Sequence, residues 1–174
     1  MNPAQMSASS AADDDADRDA WCTALRMARA IGPVDYDPCS NERSNILATH
    51  AYMLSRGQDA LVMAKYISRR WLGFINPPYS RGMVMRFVLA FVHHRFIFLL
   101  RFDPSTEWFA LLYEMTERIA FPKDRTDFEP PPGVEAKPGN PFPHALFYAR
   151  AEDVSDAIHA SCYVVDTGNR NRRS

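Results

Sequence analysis

The chain has 174 residues, of which 47% are apolar and 24% charged. That is a globular mixture, so wholesale disorder is excluded, and at roughly 100–200 residues per domain there is room for one unit. No apolar run reaches the roughly 18 residues of a membrane span, and the opening MNPAQMSASSAADDD has neither region of a signal peptide. Three cysteines, Cys22, Cys39 and Cys162, are an odd number without CxxC spacing. A disulfide framework or zinc ribbon is therefore not expected, and a reducing cytosol is.

The formal charge of −1 comes from 20 basic and 21 acidic side chains. Residues 1–20 hold five aspartates against one arginine, so the remainder carries 19 basic and 16 acidic groups, a net of +3. Seventeen of the basic residues are Arg, the side chain suited to bidentate contact with phosphate. A mildly basic body permits nucleic-acid binding without requiring it.

In chain order, residues 1–20 read as a disordered acidic tail. Thr23 to Ile31 reads as a helix with Thr23 as N-cap and Gly32-Pro33 as the stop. Val34 to Asp37 is a short extended segment, and Pro38 biases Asp37 away from the helical region. Ser44–Tyr52 and Gln58–Arg69 read as helices separated by Gly57. Trp71–Asn76 is a strand ended by Pro77-Pro78, and Met83–His94 is a helix apolar nearly all round. Phe96–Phe102 is a continuous apolar run, the pattern of a strand buried on both faces. Asp103–Thr106 is a turn, Glu107–Ile119 returns to helical spacing, Pro130–Pro143 is a loop and Ala145–Tyr148 a further strand.

This alternation predicts an open α/β sheet with helices on its faces. Ligands in such folds sit beyond the carboxyl ends of the strands, where strand order reverses. Asp37-Pro38-Cys39-Ser40 and Asn76-Pro77-Pro78-Tyr79 both follow strands, which places the candidate site there.

Asn76-Pro77-Pro78-Tyr79 carries the most chemistry. Two prolines hold a rigid extended turn that presents an amide and an aromatic ring together. The Asn76 side-chain oxygen and the Pro77 carbonyl are a pair of acceptors for both hydrogens of an exocyclic amine, freeing its lone pair for attack. Tyr79 offers a face for a base removed from its helix. The plain alternative is a strand-end turn with Tyr79 packed in the core.

The segment FINPPYS (Phe74–Ser80) resembles the catalytic motif of amino-group methyltransferases that use S-adenosylmethionine. With WCT (Trp21–Thr23), DYDPCSNERSN (Asp35–Asn45), GQDAL (Gly57–Leu61), DPSTEWF (Asp103–Phe109), FPKDRTDFEPP (Phe121–Pro131) and GNPFPHALFY (Gly139–Tyr148), the pattern resembles the phage and prophage DNA N6-adenine methyltransferases, the Dam-like family. The resemblance implies a Rossmann-like methyltransferase domain over residues 21–150 with an abbreviated sheet, followed by an extension, 151–174, that ends in a basic tail. It implies S-adenosylmethionine as cofactor, double-stranded DNA as partner and a bacterial host cytoplasm. Neither a metal nor a covalent enzyme intermediate is called for.

Carried over residue by residue, the resemblance makes Asn76, Pro77, Pro78 and Tyr79 catalytic. It puts Trp21, Thr23, Asp37, Pro38, Cys39 and Asp59 at the cofactor, with Trp21 and Thr23 in a segment that touches the methionine carboxylate and Asp59 at the adenine. Ser80, Arg81, Ser105 and Thr106 fall at DNA, with Arg69-Arg70 and the arginines of 169–173 as further phosphate contacts. Each has a structural alternative: a helix cap for Thr23 and for Ser105-Thr106, a small buried hydrophobe for Cys39, a solvated helix charge for Asp59 and surface charge for the arginines. The chain departs from the pattern at Ala24, where proline is usual, and at Ala60, where glycine is. No glycine-rich loop follows Asp37, and under forty residues separate Asp37 from Asn76. His93-His94 reads as structural, since adjacent helical residues point apart. Two other functions stay open: the same chemistry on RNA adenine or protein glutamine, and a non-catalytic nucleic-acid-binding remnant.

Overall fold

A computed structural model of the chain describes residues 21–80, 82–126, 128–135 and 142–169. The acidic segment 1–20, Arg81, residue 127, residues 136–141 of the proline-rich loop and the terminal arginines lie outside them. The elements, in order, are β1 (Cys22–Thr23), α1 (Leu25–Ile31), β2 (Val34–Asp37), β3 (Ala48–Ala51), α2 (Ala60–Met63), β4 (Leu72–Ile75), α3 (Met83–Phe91), β5 (Arg95–Arg101), α4 (Glu107–Glu114), β6 (Arg118–Pro122), β7 (Phe128–Glu129), β8 (His144–Tyr148), α5 (Asp156–Ser161) and β9 (Cys162–Asp166).

Seven strands form one mixed sheet in the order β3-β2-β4-β5-β8-β6-β9. The first four run parallel, β8 is antiparallel to β5 and β6, and β9 is antiparallel to β6. β5 anchors it: Phe96, Ile97, Phe98, Leu99 and Leu100 are all fully buried, as their uninterrupted apolar run predicts. Alternate residues feed opposite faces. Phe96, Phe98 and Leu100 join Tyr36, Ile75 and Phe147 beneath α2, α3 and α4, with Phe87, Phe91 and Leu112 from the helices. Ile97 and Leu99 join Phe74, Leu146 and Tyr148 against Ile31 of α1 and Ile158 of α5. The chain is thus a three-layer α/β unit.

The parallel half turns on a close approach. Gly73 pairs with Tyr36 across β2 and β4, and a Cβ on Gly73 would fall inside the Tyr36 ring. Glycine lets that ring lie across β4 and pack on Phe91 and His94. The Asp35 carboxylate accepts the Leu72 N–H at 2.6 Å and sets the same two strands in register.

Several expected elements differ. The helix expected over 44–52 is instead strand β3, paired parallel with β2, because Asp37 and Asn41 hold the preceding segment as a loop. The helix expected over 58–69 shortens to the single turn of α2 followed by a 3-10 turn at Ala64–Tyr66. The helix expected through Ile119 stops at Glu114, and Arg118–Pro122 becomes β6, where Ile119 and Ala120 complete the sheet core. Thr23 is not a helix cap; it lies in β1, and Ala24 holds the cap position without a side-chain bond. Beyond residue 150, α5 and β9 belong to the same layers, and β9 pairs with β6 along five residues, so the sheet extends past the boundary expected at 150. On the β2 side of the sheet, β3 alone lies outside β2 among the described residues.

Candidate active site

The strand order reverses at β2: the chain passes outward to β3, then returns to the other side of β2 as β4. A cleft between two parallel strands opens at such a point. Asp37-Pro38 leaves the carboxyl end of β2 and Asn76-Pro77-Pro78-Tyr79 leaves the carboxyl end of β4, so the two sequences meet there.

Asp37 is 3% exposed, and both of its oxygens are engaged. Oδ1 accepts the Cys39 backbone N–H at 2.9 Å and Oδ2 accepts the Ser44 hydroxyl at 3.2 Å, with Ser40 also bonding to the carboxylate. Burial outweighs these donors and pushes its pKa up to about 6. Asp37 therefore shapes the loop that stands in place of a glycine-rich turn. Asn41 continues the work: its side-chain oxygen accepts the Arg43 N–H at 2.8 Å. Arg43 reaches across to the Pro130 carbonyl at 2.9 Å and the Cys22 sulfur at 3.3 Å.

This loop docks on a small second ladder. β1 pairs antiparallel with β7, Thr23 opposite Phe128. Asn45 donates its side-chain amide to the Thr23 carbonyl at 3.0 Å. Thr23, 5% exposed, in turn accepts the side-chain amide of Asn76 on its hydroxyl at 3.3 Å. The Asn76 backbone N–H points at the Cys39 sulfur, while burial raises the Cys39 thiol well above its ordinary range. Cys39 is thus a neutral packing group beside the site.

Pro77 is buried and Pro78 half-buried, which fixes where Tyr79 goes. The Tyr79 ring packs on the core beneath α3, its hydroxyl accepting the Arg101 backbone N–H at 2.9 Å. Burial is the main reason its phenol is pushed up to about 12. The Arg101 guanidinium lies 4.8 Å from the Tyr79 ring centre and 3.9 Å from that of Phe142, so a flat cation sits between two aromatic rings. His144 meets Tyr79 edge-on at 6.3 Å and is pushed down to about 4 by burial. Beyond Tyr79, Gly82 takes the left-handed conformation (φ 78°) that turns the chain into α3, and the Ser80 carbonyl accepts the Met83 N–H.

The other sequence candidates are less central. Trp21 is half-buried just before β1. Asp59 is exposed and caps α2 through the Leu61 N–H. The Ser105 hydroxyl donates to Asp103 at 2.6 Å and the Thr106 hydroxyl to the Asp103 carbonyl at 2.8 Å, so both serve the turn between β5 and α4. That turn follows Arg101 by a few residues. His94 is buried against Tyr36 and Phe91, and His93 is exposed.

The family model for DNA N-6-adenine-methyltransferase (Dam) matches residues 10–167. The chain belongs to this family. No curated protein and no solved structure matches it. As a Dam-family DNA N-6-adenine-methyltransferase it is an enzyme that acts on DNA adenine, and the mixed seven-stranded sheet is consistent with a methyltransferase-like fold.

Arg43, Ser44 and Asn45 fall within the quoted segment Asp35–Asn45, but the resemblance assigns them no role there. Ser44 bonds the nearby Asp37, while the partners of Arg43 and Asn45, namely Pro130, Cys22 and Thr23, lie in other segments that no local pattern points to. Arg101 carried a readable signal: a charge ending a wholly apolar strand beside the one that leads into Asn76.

Proposed function

We propose that this enzyme transfers the methyl group of S-adenosylmethionine to N6 of an adenine extruded from double-stranded DNA, on a Rossmann-like sheet. The observation that carries the reading is the meeting of Asp37-Pro38 with Asn76–Tyr79 at the carboxyl ends of adjacent parallel strands, where strand order reverses.

The residues at that point suit such a cofactor. Tyr52, whose N–H bonds the Asp37 carbonyl at 2.9 Å, and Leu61 offer half-buried apolar surface for a purine. A sulfonium cofactor has no pyrophosphate, so the missing glycine-rich loop is no obstacle. Trp21, Pro38, Cys39 and Asp59 are assigned to its pocket, with Asp37 holding the loop that lines it. When bound, S-adenosylmethionine supplies an activated methyl whose leaving group is a neutral thioether.

The chain's own residues then do the following. Asn76 Oδ1 and the Pro77 carbonyl accept the two amine hydrogens of adenine, localising the lone pair on N6 toward the methyl. The Tyr79 ring holds the base by stacking. The amine releases its proton to solvent after attack. Positioning and exclusion of water carry most of the rate. Ser80, Ser105 and Thr106 are assigned to the DNA side, and Arg81 and the arginines of 169–173, outside the described residues, are assigned to phosphate on the sequence alone. A phage or prophage origin and action in the bacterial cytoplasm fit this reading. No helix of the described residues is long and apolar enough to cross a membrane.

Expression in a methylation-deficient bacterial host followed by native-DNA mapping tests the proposal. N6-methyladenine at a reproducible sequence supports it. Absence of modified adenine, with methyl transfer by the purified protein to RNA or protein instead, overturns it.

A further inference from the structure

We infer that Thr23 is a positioning residue for Asn76, holding its amide in place against the adenine amine; the inference rests on the methyl-transfer reading above. A carboxamide is two-ended. Its oxygen accepts hydrogens and its nitrogen donates them, and a half-turn about the last bond exchanges the two. Only the oxygen is useful against an amine that brings two hydrogens of its own. If the nitrogen faced the substrate, two donors would oppose each other and the lone pair would gain nothing.

A hydroxyl can donate or accept, so Thr23 fixes the place and plane of the amide, in the orientation the chemistry needs. Its hydroxyl oxygen lies 3.3 Å from Asn76 Nδ2 and accepts one of that nitrogen's hydrogens, so the carboxamide nitrogen is turned toward β1 and the oxygen is left for the substrate. Thr23 itself is fixed from several sides. It pairs with Phe128 in the β1–β7 ladder, its carbonyl accepts the Asn45 amide at 3.0 Å, and it is 5% exposed. The next residue back, Cys22, is held by Arg43 and Asn41. Asn76 has its backbone N–H on the Cys39 sulfur, so main chain and side chain are both held. The amide thus needs no reorganisation when the substrate arrives. A residue read from the sequence as a cofactor contact touches the catalytic amide instead.

The test compares Thr23→Val, which keeps shape and β-branching but loses the hydroxyl, with Thr23→Ser, which restores it. Three readouts are needed: kcat for DNA methylation at saturating S-adenosylmethionine, the cofactor Kd by calorimetry, and the side-chain amide NMR signal of Asn76, identified by its loss in Asn76→Asp. In Thr23→Val, kcat should fall by roughly tenfold to 10²-fold, the cost of a slightly misplaced reacting group. The cofactor Kd and melting temperature should stay near wild type, and the Asn76 amide signal should move. Thr23→Ser should recover rate and signal together. A weakened cofactor Kd with unchanged kcat would make Thr23 a cofactor residue and overturn the inference. An unmoved amide signal, or a rate loss that follows melting temperature and is not rescued by serine, would overturn it too. A wild-type enzyme that binds no S-adenosylmethionine and methylates no DNA would overturn the underlying reading instead, and the wild-type control identifies that case separately.

Discussion

The Tyr79 hydroxyl accepts the backbone N–H of Arg101 at 2.9 Å, and the guanidinium of the same arginine lies 4.8 Å from the Tyr79 ring centre. One residue at the end of β5 thus holds both the edge and the face of the aromatic ring that leaves β4. The ring is half-buried and anchored, so it is a fixed platform rather than a free side chain. Tyr79→Phe should keep most methyl transfer, because the ring remains, and lose about 1–3 kcal/mol of stability from the stranded Arg101 N–H. Tyr79→Ala should lose most activity, since base–aromatic stacking is worth roughly 1–3 kcal/mol. Melting curves beside turnover for both variants check this. Activity loss that merely tracks unfolding would leave Tyr79 as a core residue.

Asn76→Ala should fold normally and lose methyl transfer by about 10²–10³-fold, the usual cost of one transition-state hydrogen bond. Its side chain is half-buried and its amide donates one long bond, 3.3 Å, to Thr23, so little stability rests on it. Circular dichroism and single-turnover rates are the measurements; near-normal turnover would remove Asn76 from the chemistry.

Stability should respond to pH through two opposed groups. Asp37 is pushed up to about 6 by burial, so the folded chain keeps its proton where the unfolded chain, titrating near 4, has released it. Raising pH from about 4 to 6 therefore costs the folded state. His144 is pushed down to about 4 by burial, so the unfolded chain takes up a proton below about 6.5 that the folded chain refuses. Raising pH through that window favours the folded state. Each is worth on the order of 3 kcal/mol, and their contributions nearly cancel. Denaturation midpoints between pH 4 and 6.5 should show this: Asp37→Asn gains a slope rising with pH relative to wild type, and His144→Leu one falling with pH. Parallel curves for all three proteins would refute it.

Gly73→Ala should destabilise by about 1–3 kcal/mol or more, because the new methyl meets the fully buried Tyr36 ring across the sheet. Tyr36→Leu in the same chain should recover part of that loss, measured as the coupling in a double-mutant cycle. Purely additive effects would mean that the ring is free to move aside.

What could be read in advance follows from how local the signals are. β5 announces itself through an unbroken apolar run, and Asn76-Pro77-Pro78 through residues that stop a strand wherever it lies. β3 was hidden because Ala48-Thr49-His50-Ala51 forms an edge strand with an exposed face, and nothing in those four residues favours strand over helix. β6 was hidden because the helical spacing of α4 runs on into Ile119. Its true stop is tertiary, set by pairing with β8 and β9. At the site, the strand-end positions of Asp37 and Asn76 were legible. The bond between Asn76 and Thr23 joins residues 53 apart in the chain, and no local pattern encodes it.

The β1–β7 ladder has a consequence for the order in which this enzyme fails. It joins Cys22-Thr23 to Phe128-Glu129 through two residue pairs, whereas the main sheet is knit by seven strands. Even with the Arg43 and Asn45 bonds beside it, so short a clasp closes a chain loop of more than a hundred residues on far fewer contacts than the main sheet, so local opening there should precede global unfolding. Amide exchange at residues 22 and 128 should accordingly be far faster than in β5. Mild denaturant should silence methyl transfer while the sheet is still intact, making loss of activity an early gauge of a fold that has not yet come apart.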